Sequence, residues 1–195
     1  LRFRKGNNKK RETTIDAGFL GLGIATEGYF SKKSEASYLI NYRYSTVSIL
    51  DKIGVKLSEG GNLNYQDLNY NINLPTSKIG TFNIYGLYGK NIIKSSDTAS
   101  ESESGTPTTG NFQNSSNNNV STFITGLGHR IFLKDRTYLK TNISYSLDGA
   151  NLKEETKNNG VIDPLKGSEF DSKIEALRLS SFINHKFNAK HTIRT

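Results

Sequence analysis

Strand-like segments follow one another along this chain, and they are joined alternately by short turns and by long polar connections. The short connections are residues 29–33, 75–80, 134–136 and 188–191, and the long ones are 47–62, 94–118 and 149–172. This sorting by length is typical of an outer-membrane β-barrel, in which short turns face the periplasm and long loops face the cell exterior. We therefore expect an all-β fold, namely an antiparallel transmembrane β-barrel.

Within the segments, apolar and polar residues alternate with the period of two that is expected for a strand with two different faces. The segment 65–74 is the clearest case, with the apolar set Leu68, Tyr70, Ile72 and Leu74 and the polar set Asp67, Asn69, Asn71 and Asn73. The whole pattern predicts eight strands, at residues 1–5, 13–27, 35–46, 64–74, 81–93, 120–133, 138–147 and 174–187. If the first strand runs outward, residues 6–12 form an external loop.

The segment 13–27 follows the alternation least well. Its apolar residues Leu20, Leu22 and Ile24 fall on the side that is polar in its first half. A β-bulge near Gly21 would restore the alternation. Alternatively, these residues pack inward against material that fills the lumen.

Charged and amide side chains are expected to point into the lumen, because Arg or Lys on the lipid side costs roughly 2–4 kcal/mol at mid-bilayer. The predicted lumen-facing residues are Asp16, Arg43, Asp67, Asn69, Asn71, Asn73, Lys140 and Arg178. Their functional interpretation is docking of a plug and a polar translocation path, with Arg43 and Asp67 as the preferred docking residues. The alternative is hydration and cross-strand pairing inside a wide barrel.

The composition excludes several classes of site. The chain has no Cys, which excludes a disulfide scaffold and a Cys-ligated metal site. The three His residues lie in separate segments without metal-ligand spacing, and no nucleophile, base and acid converge in the pattern. We expect no catalytic, cofactor or metal site, and we interpret Asp97, Glu101 and Glu103 as a solvated acidic loop. No run of about 18 apolar residues is present, which excludes a transmembrane helix.

The net charge of +8 does not predict a nucleic-acid partner, because the cations gather in the amino-terminal stretch and at the turns. Cations at turns favour solubility and anchoring beside lipid head groups. Aromatic residues also lie beside the short turns, and they are predicted to form a girdle at one membrane interface. These aromatic residues are Phe30, Phe82, Phe132, Tyr138 and Phe187.

Several short strings of residues are informative when they are taken together. They are RFRKGNN at 2–8, AGFLGL at 17–22, ATEG at 25–28, SYLINYRYST at 37–46, YQDL at 65–68, LPT at 74–76, GTF at 80–82, KDRTYLKT at 134–141 and FNAKHT at 187–192. In this order, they resemble the start of the barrel in TonB-dependent outer-membrane receptors. The branch that the chain most resembles carries a carboxypeptidase-regulatory-like domain at its amino terminus. The resemblance spans nearly the whole chain except the loops 94–118 and 149–172.

The resemblance implies a barrel of 22 strands closed by an amino-terminal plug, of which residues 1–195 would be the first eight strands. Such receptors bind a scarce nutrient outside a Gram-negative cell, and the TonB complex then pulls on the plug by using the proton-motive force. The implied partners are outer-membrane lipid, the plug of the same protein, the TonB complex and a small nutrient. The nutrient class stays open among ferric siderophore, vitamin, glycan and peptide.

Two alternatives remain open at this point. A self-contained eight-stranded outer-membrane barrel, serving adhesion or membrane integrity, requires residues 1–5 to pair with 174–187. A secreted soluble β-sandwich that binds through its loops requires two packed sheets. Because the sequence starts at Leu1 within the pattern, we expect a piece of a larger protein, and open sheet edges would make that piece aggregate in isolation.

Overall fold

One antiparallel sheet contains all the regular structure that we describe. The computed structural model describes residues 4–18, 21–32, 34–45, 47, 61–99, 112–158, 160–165 and 167–195. Its strands are β1 (Glu12–Gly18), β2 (Gly21–Tyr29), β3 (Ser37–Ser45), β4 (Gly61–Pro75), β5 (Thr81–Ala99), β6 (Phe112–Lys134), β7 (Thr137–Asn158), β8 (Val161–Ile162), β9 (Ser168–Lys186) and β10 (Thr192–Arg194). The prediction of an all-β, antiparallel fold is confirmed.

The sheet has a simple up-and-down order and two open edges. Each strand from β1 to β7 pairs with the next, β9 pairs with β7 and β10, and the short β8 pairs with the end of β7. β10 covers only the last residues of β9, at Asn184, His185 and Lys186. Since β1 and β10 lie at opposite edges and do not pair with each other, the sheet is not closed into a barrel.

The predicted single strand 13–27 is a hairpin of β1 and β2, and its predicted facing was wrong. Ile15 is paired with Ile24, and Ala17 is paired with Leu22. These four apolar side chains therefore share one face, because the chain reverses between Gly18 and Gly21 and so resets the alternation. Neither a bulge nor inward packing is needed to explain them, and Leu20 lies outside the described residues.

The predicted first strand and the external loop after it are also absent from the described residues. Arg4 and Lys5 are not in a strand, and residues 1–3 lie outside the described ranges. Residues 4–11 instead form an irregular segment across β2, β3 and β4, which we call the strap. Its path is fixed by a hydrogen bond from Asn71 Nδ2 to the carbonyl oxygen of Arg4 at 2.6 Å and by packing of Gly6 on the Tyr38 carbonyl.

The strands at the long-loop end are longer than predicted. Parts of the predicted loops 94–118 and 149–172 belong to β5, β6, β7 and β9, so those loop predictions were wrong at both flanks. β6 has 23 residues, which at about 3.4 Å per residue gives a length of about 78 Å. The apolar band of an outer-membrane barrel is only about 25 Å tall. Polar cross-strand pairs such as Ser95 and Ser116, whose hydroxyl oxygens lie 2.7 Å apart, link the extensions.

The register gives the sheet one apolar and one polar face. Residues directly opposite each other in neighbouring strands share a face. One uninterrupted apolar row crosses from β3 to β9 and consists of Tyr38, Ile72, Ile84, Leu127, Ile143 and Leu179. Asn71, Asn73 and their cross-strand neighbours occupy the other face.

Burial in this sheet is the reverse of that in a water-soluble domain. Among the described residues, only Ala36 and Val47 are buried hydrophobic side chains, whereas the largest fully buried ones are Asn71, Ser37 and Ser45. Large apolar side chains are exposed, with Ile15 at 74% and Leu179 at 72%. The total accessible surface is 14069 Å², against about 9,200 Å² for a globular protein of this mass.

The aromatic residues beside the short turns are divided between the two faces. Phe82 stacks on His129 with ring centroids 4.4 Å apart on the apolar face. Phe132 pairs with Tyr138, and both residues lie on the polar face, which also carries Arg130 and Lys140. A girdle lies on the outward, apolar face, so the prediction that these five residues form a girdle at one membrane interface was wrong for Phe132 and Tyr138.

Two tyrosines lie across glycines of the neighbouring strand and tie three strands together. On the apolar face, Tyr70 crosses Gly86, and its hydroxyl lies 2.8 Å from Thr125 Oγ1. On the polar face, Tyr85 crosses Gly126 and donates a hydrogen bond of 2.9 Å to Asn142 Oδ1. Aromatic cover of this kind protects the backbone at a glycine and helps to set the register.

Replacement of Gly126 by alanine should destabilise the sheet. A Cβ at this position would overlap the Tyr85 ring and lie 2.9 Å from the Ile143 carbonyl oxygen. We expect Gly126→Ala to lower the free energy of unfolding by about 1–3 kcal/mol, measured by urea unfolding of the chain refolded in detergent.

Gly89 supplies the matched control, because a Cβ there would meet nothing within 4 Å. Gly89→Ala should leave stability unchanged or raise it by about 0.5–1 kcal/mol, since alanine loses less entropy than glycine in a strand. Equal losses in both variants would show that Tyr85 does not depend on the space at Gly126.

Candidate functional site

The structure brings all eight of the predicted lumen-facing residues to one face of the sheet. These residues are Asp16, Arg43, Asp67, Asn69, Asn71, Asn73, Lys140 and Arg178. They fall into three groups on this polar face: a charged row, an amide cluster under the strap, and two separate cations on β7 and β9. Their predicted role in plug docking stays a prediction.

The charged row crosses seven strands at one level of the sheet. Its residues in register are Asp16, Gly23, Arg43, Asp67, Gly89, Thr122 and Asp148. Arg43 donates from Nε to Asp67 Oδ1 at 3.1 Å, and its Nη2 lies 3.0 Å from Asp67 Oδ2. Thr122 donates a hydrogen bond of 2.8 Å to Asp148 Oδ1. The cation of Arg43 is therefore neutralised within the row.

A shallow depression lies over the middle of the charged row, because Gly89 has no side chain there. Its volume is about 350 Å³. The polar-face residues that line it are Arg43, Tyr65, Asp67, Gly89, Asn91, Val120 and Thr122. The depression can offer hydrogen-bond donors and acceptors to a polar molecule or to a polar chain segment that crosses the sheet.

The amide cluster consists of Asn69, Asn71 and Asn73 and lies towards the short turns. Hydrogen bonds hold Asn71, whereas Asn73 Oδ1 is buried without a hydrogen-bond partner among the described residues. Asn71 is almost completely buried, with 1% of its surface exposed. It donates to the Arg4 carbonyl, and its own Oδ1 accepts a hydrogen bond from Asn83 Nδ2. Burial of an amide with its hydrogen bonds made costs far less than burial of a charge. This explains why asparagine occupies the part of the face that the strap covers.

The strap is basic, and it docks on the carboxylates of β1 and β2. The Arg4 guanidinium binds both carboxylate oxygens of Glu27, at 2.8 and 3.0 Å. The Asn7 backbone N–H donates to Glu27 at 2.8 Å, and Lys10 Nζ lies 2.9 Å from Glu12 Oε1. Hydrogen bonding to Glu27 raises the pKa of Arg4 above its ordinary value. The strap is thus attached by the bidentate, charge-assisted hydrogen bonds between Arg4 and Glu27, which are stronger than neutral hydrogen bonds.

Sequence reasoning missed the strap and the role of Glu27. Residues 4–11 have no strand period, and their cations look like a solvated run. The only local signal was Gly6, where any side chain would overlap the backbone of Tyr38. Glu27 was placed at the end of a predicted strand, and its partner Arg4 is 23 positions away.

The remaining predicted residues, Lys140 and Arg178, lie on β7 and β9, away from the charged row. Arg178 donates a hydrogen bond of 2.7 Å to Ser146 Oγ. Lys140 lies directly opposite Arg130 on one side and Phe182 on the other. The structure does not bring these two residues together with Arg43 and Asp67.

The expectations about metal and catalytic sites stay predictions. No group of three or more His, Cys, Asp or Glu side chains that could hold a metal ion is found there. His129 Nε2 lies 2.6 Å from the Ile79 carbonyl, and His185 Nδ1 lies 2.7 Å from Thr137 Oγ1, so both have contacts within the sheet. Glu101, Glu103 and the side chain of Asp97 lie outside the described residues.

In the described parts of the chain, no helix has the length and apolar character needed to cross a membrane. Comparisons of the chain with protein-family models, with curated proteins and with solved structures found no match. The resemblance to TonB-dependent receptors therefore stays a prediction.

Removal of the Glu27 charge should release the strap. In Glu27→Gln, a neutral amide replaces the carboxylate that accepts hydrogen bonds from Arg4 and Asn7, so these hydrogen bonds become weaker. We therefore expect faster trypsin cleavage after Arg4, Lys5, Lys9 and Lys10. The measurement is the rate of amino-terminal trimming, followed by mass spectrometry on the chain refolded in detergent.

Glu155→Gln is the control, because Glu155 forms an exposed ion pair with Lys153 on β7, far from the strap. Its trimming rate should equal that of the parent chain. If Glu27→Gln also leaves the rate unchanged, the strap is not held by its contacts with Glu27.

Proposed function

We propose that this chain forms part of the wall of a large outer-membrane β-barrel that takes up a scarce nutrient by TonB-dependent active transport. The observation that carries the membrane part is the inverted burial of the sheet, with most of the exposed apolar residues on one face and buried amides on the other. Exposure of an apolar face to water costs about 25 cal/mol for each Å². In a bilayer, that face meets lipid and the cost disappears.

The height of the apolar face supports the same proposal. On β4, the face is apolar from Leu74 to Leu68 and becomes polar at Gln66. The distance along β4 from residue 74 to residue 66 is about 27 Å at about 3.4 Å per residue. A strand tilt of about 40° reduces this to a height of about 21 Å, which fits within the apolar band of about 25 Å. On the apolar face of the later strands, the first charged residues are Lys90, which is directly opposite Gln66, and Glu175, whose row runs through Leu147, Phe123 and Tyr88 to Leu68.

The position of the strap supports a lumen that contains more of the protein. The strap leads into β1 and lies on the polar face, which would be the inner side of a barrel. A chain that enters β1 from the inside is the arrangement expected where an amino-terminal plug fills the barrel. The resemblance of the sequence to TonB-dependent receptors supplies the energy-coupling part of the proposal.

The two alternatives receive no such support. A closed eight-stranded barrel needs residues 1–5 to pair with 174–187, yet Arg4 and Lys5 belong to the strap and β9 is paired with β10. A β-sandwich needs a second sheet over the apolar face, and the described strands all belong to one sheet. The open edges, which are β1 on one side and β10 with the uncovered length of β9 on the other, instead favour additional strands on both sides, as in a large barrel.

Charge on the apolar face should prevent insertion into lipid. We expect Ile143→Lys to lose about 2–4 kcal/mol of folding free energy in lipid vesicles, because its side chain would point into the hydrocarbon. The measurement is the folded fraction after dilution of the urea-unfolded chain into vesicles, read from circular dichroism and from protease protection.

Ile124→Lys is the same substitution on the polar face of the adjacent strand, beside Leu87 and Ser146. This control should insert like the parent chain. Equal tolerance of both variants, or cooperative folding without lipid or detergent, would contradict the membrane assignment.

Transport is tested in the bacterium that carries the gene. Deletion of the complete reading frame should abolish energy-dependent uptake of one nutrient among ferric siderophores, vitamins, glycans and peptides, and the full-length gene should restore it. A protonophore, or loss of TonB, should have the same effect as the deletion. Uptake that depends on the gene but persists without the proton gradient would indicate a passive pore.

A further inference from the structure

A second, basic region occupies the corner of the polar face at the short-turn end of β6, β7, β9 and β10. We call it the basic corner and define it by Arg130, Lys140, Arg178 and Arg194, all of which are exposed. Arg130 and Lys140 are directly opposite each other, and Lys140 is opposite Phe182. The neighbouring row continues through Phe132, Tyr138, Asn184 and Arg194.

The cations of the basic corner are not neutralised by carboxylates. None of the ion pairs found among the described residues includes any of the four. Like charges that lie directly opposite in a sheet are destabilising, so the pair Arg130 and Lys140 carries a cost. The β1–β4 side of the same face differs, because Glu27 and Asp67 each hold an arginine there.

Aromatic rings contact three of the four cations, namely Arg130, Lys140 and Arg194, without removing their charge. The guanidinium carbon of Arg194 lies 3.7 Å from the centre of the Phe182 ring, and Lys140 Nζ lies 6.0 Å from the same centre. Arg130 lies 5.6 Å from the centre of the Phe132 ring. Cation–π contacts restrict the positions of the charged groups while leaving their N–H donors available.

The strap shows how the other half of this face binds a chain segment. There, a basic segment lies on carboxylates, and the buried amide of Asn71 donates to its backbone carbonyl. The basic corner has the opposite charge and is likewise bordered by small polar side chains, namely Asn142, Ser144, Ser180 and Asn184. By charge complementarity, we propose that the basic corner binds an acidic, extended peptide segment that lies across the polar face.

The spread of the cations favours an extended ligand over a single small anion. Arg130 and Arg194 are separated by three strand spacings, which amounts to about 14 Å. A segment with spaced Asp or Glu residues matches this backbone spacing better than one phosphate or carboxylate group does. This inference concerns an interaction surface and does not depend on the proposed transport activity.

The test measures binding of labelled peptides to the full chain refolded in detergent micelles, by fluorescence anisotropy. The probes are a short peptide of alternating Glu and Ser, the same peptide with Lys or Gln in place of Glu, a single-stranded oligonucleotide and inorganic phosphate as competitor. We expect the Glu peptide alone to bind, with affinity that weakens as salt is added.

The decisive variant is Arg130→Gln/Lys140→Gln/Arg194→Gln, which should weaken binding of the Glu peptide by about tenfold or more. The matched control is Lys32→Gln/Lys78→Gln/Lys190→Gln, which removes the same charge from exposed positions in short turns. The control should bind the peptide like the parent chain. Both variants are first compared with the parent by circular dichroism.

Several results would overturn the proposal. The first is an equal loss of Glu-peptide affinity in the two triple variants, and the second is binding of the Lys peptide as tight as that of the Glu peptide. The third is displacement of the Glu peptide by phosphate at a concentration equal to that of the peptide. The fourth is binding of the oligonucleotide that is tighter than binding of the Glu peptide and is abolished in the decisive variant. If the triple variant does not refold, Arg194→Gln alone is compared with Lys190→Gln. Arg194 lies on the short edge strand β10, where loss of one exposed side chain leaves the rest of the sheet unchanged.

Discussion

The register of the backbone hydrogen bonds between strands is the constraint on which every other feature of this sheet depends. The register is continuous from β1 to β9, except for one shift at the end of β6 between Phe132 and Lys134. A slip of one residue between two strands would exchange their faces. Between β3 and β4, such a slip would separate Arg43 from Asp67 and turn Asn71 toward the apolar side. The tyrosines that lie across Gly86 and Gly126 stabilise this register on both faces.

The polar face is divided into regions of different charge, and this division has a physical consequence. On the β1–β4 side, carboxylates meet the cations of the strap, and amides rather than charges are buried beneath it. Buried amides with their hydrogen bonds made carry a small desolvation cost, which allows a segment to lie closely on the sheet. On the β6–β10 side, exposed cations rest on aromatic rings and face open space. The polar face therefore combines acidic residues on which the strap is docked with the basic corner, whose charge is opposite to theirs.

Particular residues show where prediction from the sequence succeeded and where it did not. The strict alternation of 65–74 predicted the facing of Asn69, Asn71 and Asn73, because that pattern is local to one strand. The hairpin of β1 and β2 was missed because the sequence of this segment contains no Asn-Gly or Asp-Gly signal of a turn. The strand extensions were missed because Ser and Asn residues resemble a loop in isolation, and only pairing with a neighbour such as Ser95 with Ser116 makes them strands.

The sequence by itself determined that the chain forms antiparallel strands with one apolar and one polar face, since alternation is a property of each strand alone. Within each strand, it also determined which residues share a face, and it placed Arg43 and Lys140 on the polar faces of their strands. Only the tertiary structure decided that Arg4 meets Glu27, that the strap covers Asn71, and that Arg130, Lys140 and Arg194 gather at one corner. These contacts join residues far apart in the chain, and their positions follow from strand pairing and chain path, for which no local pattern exists.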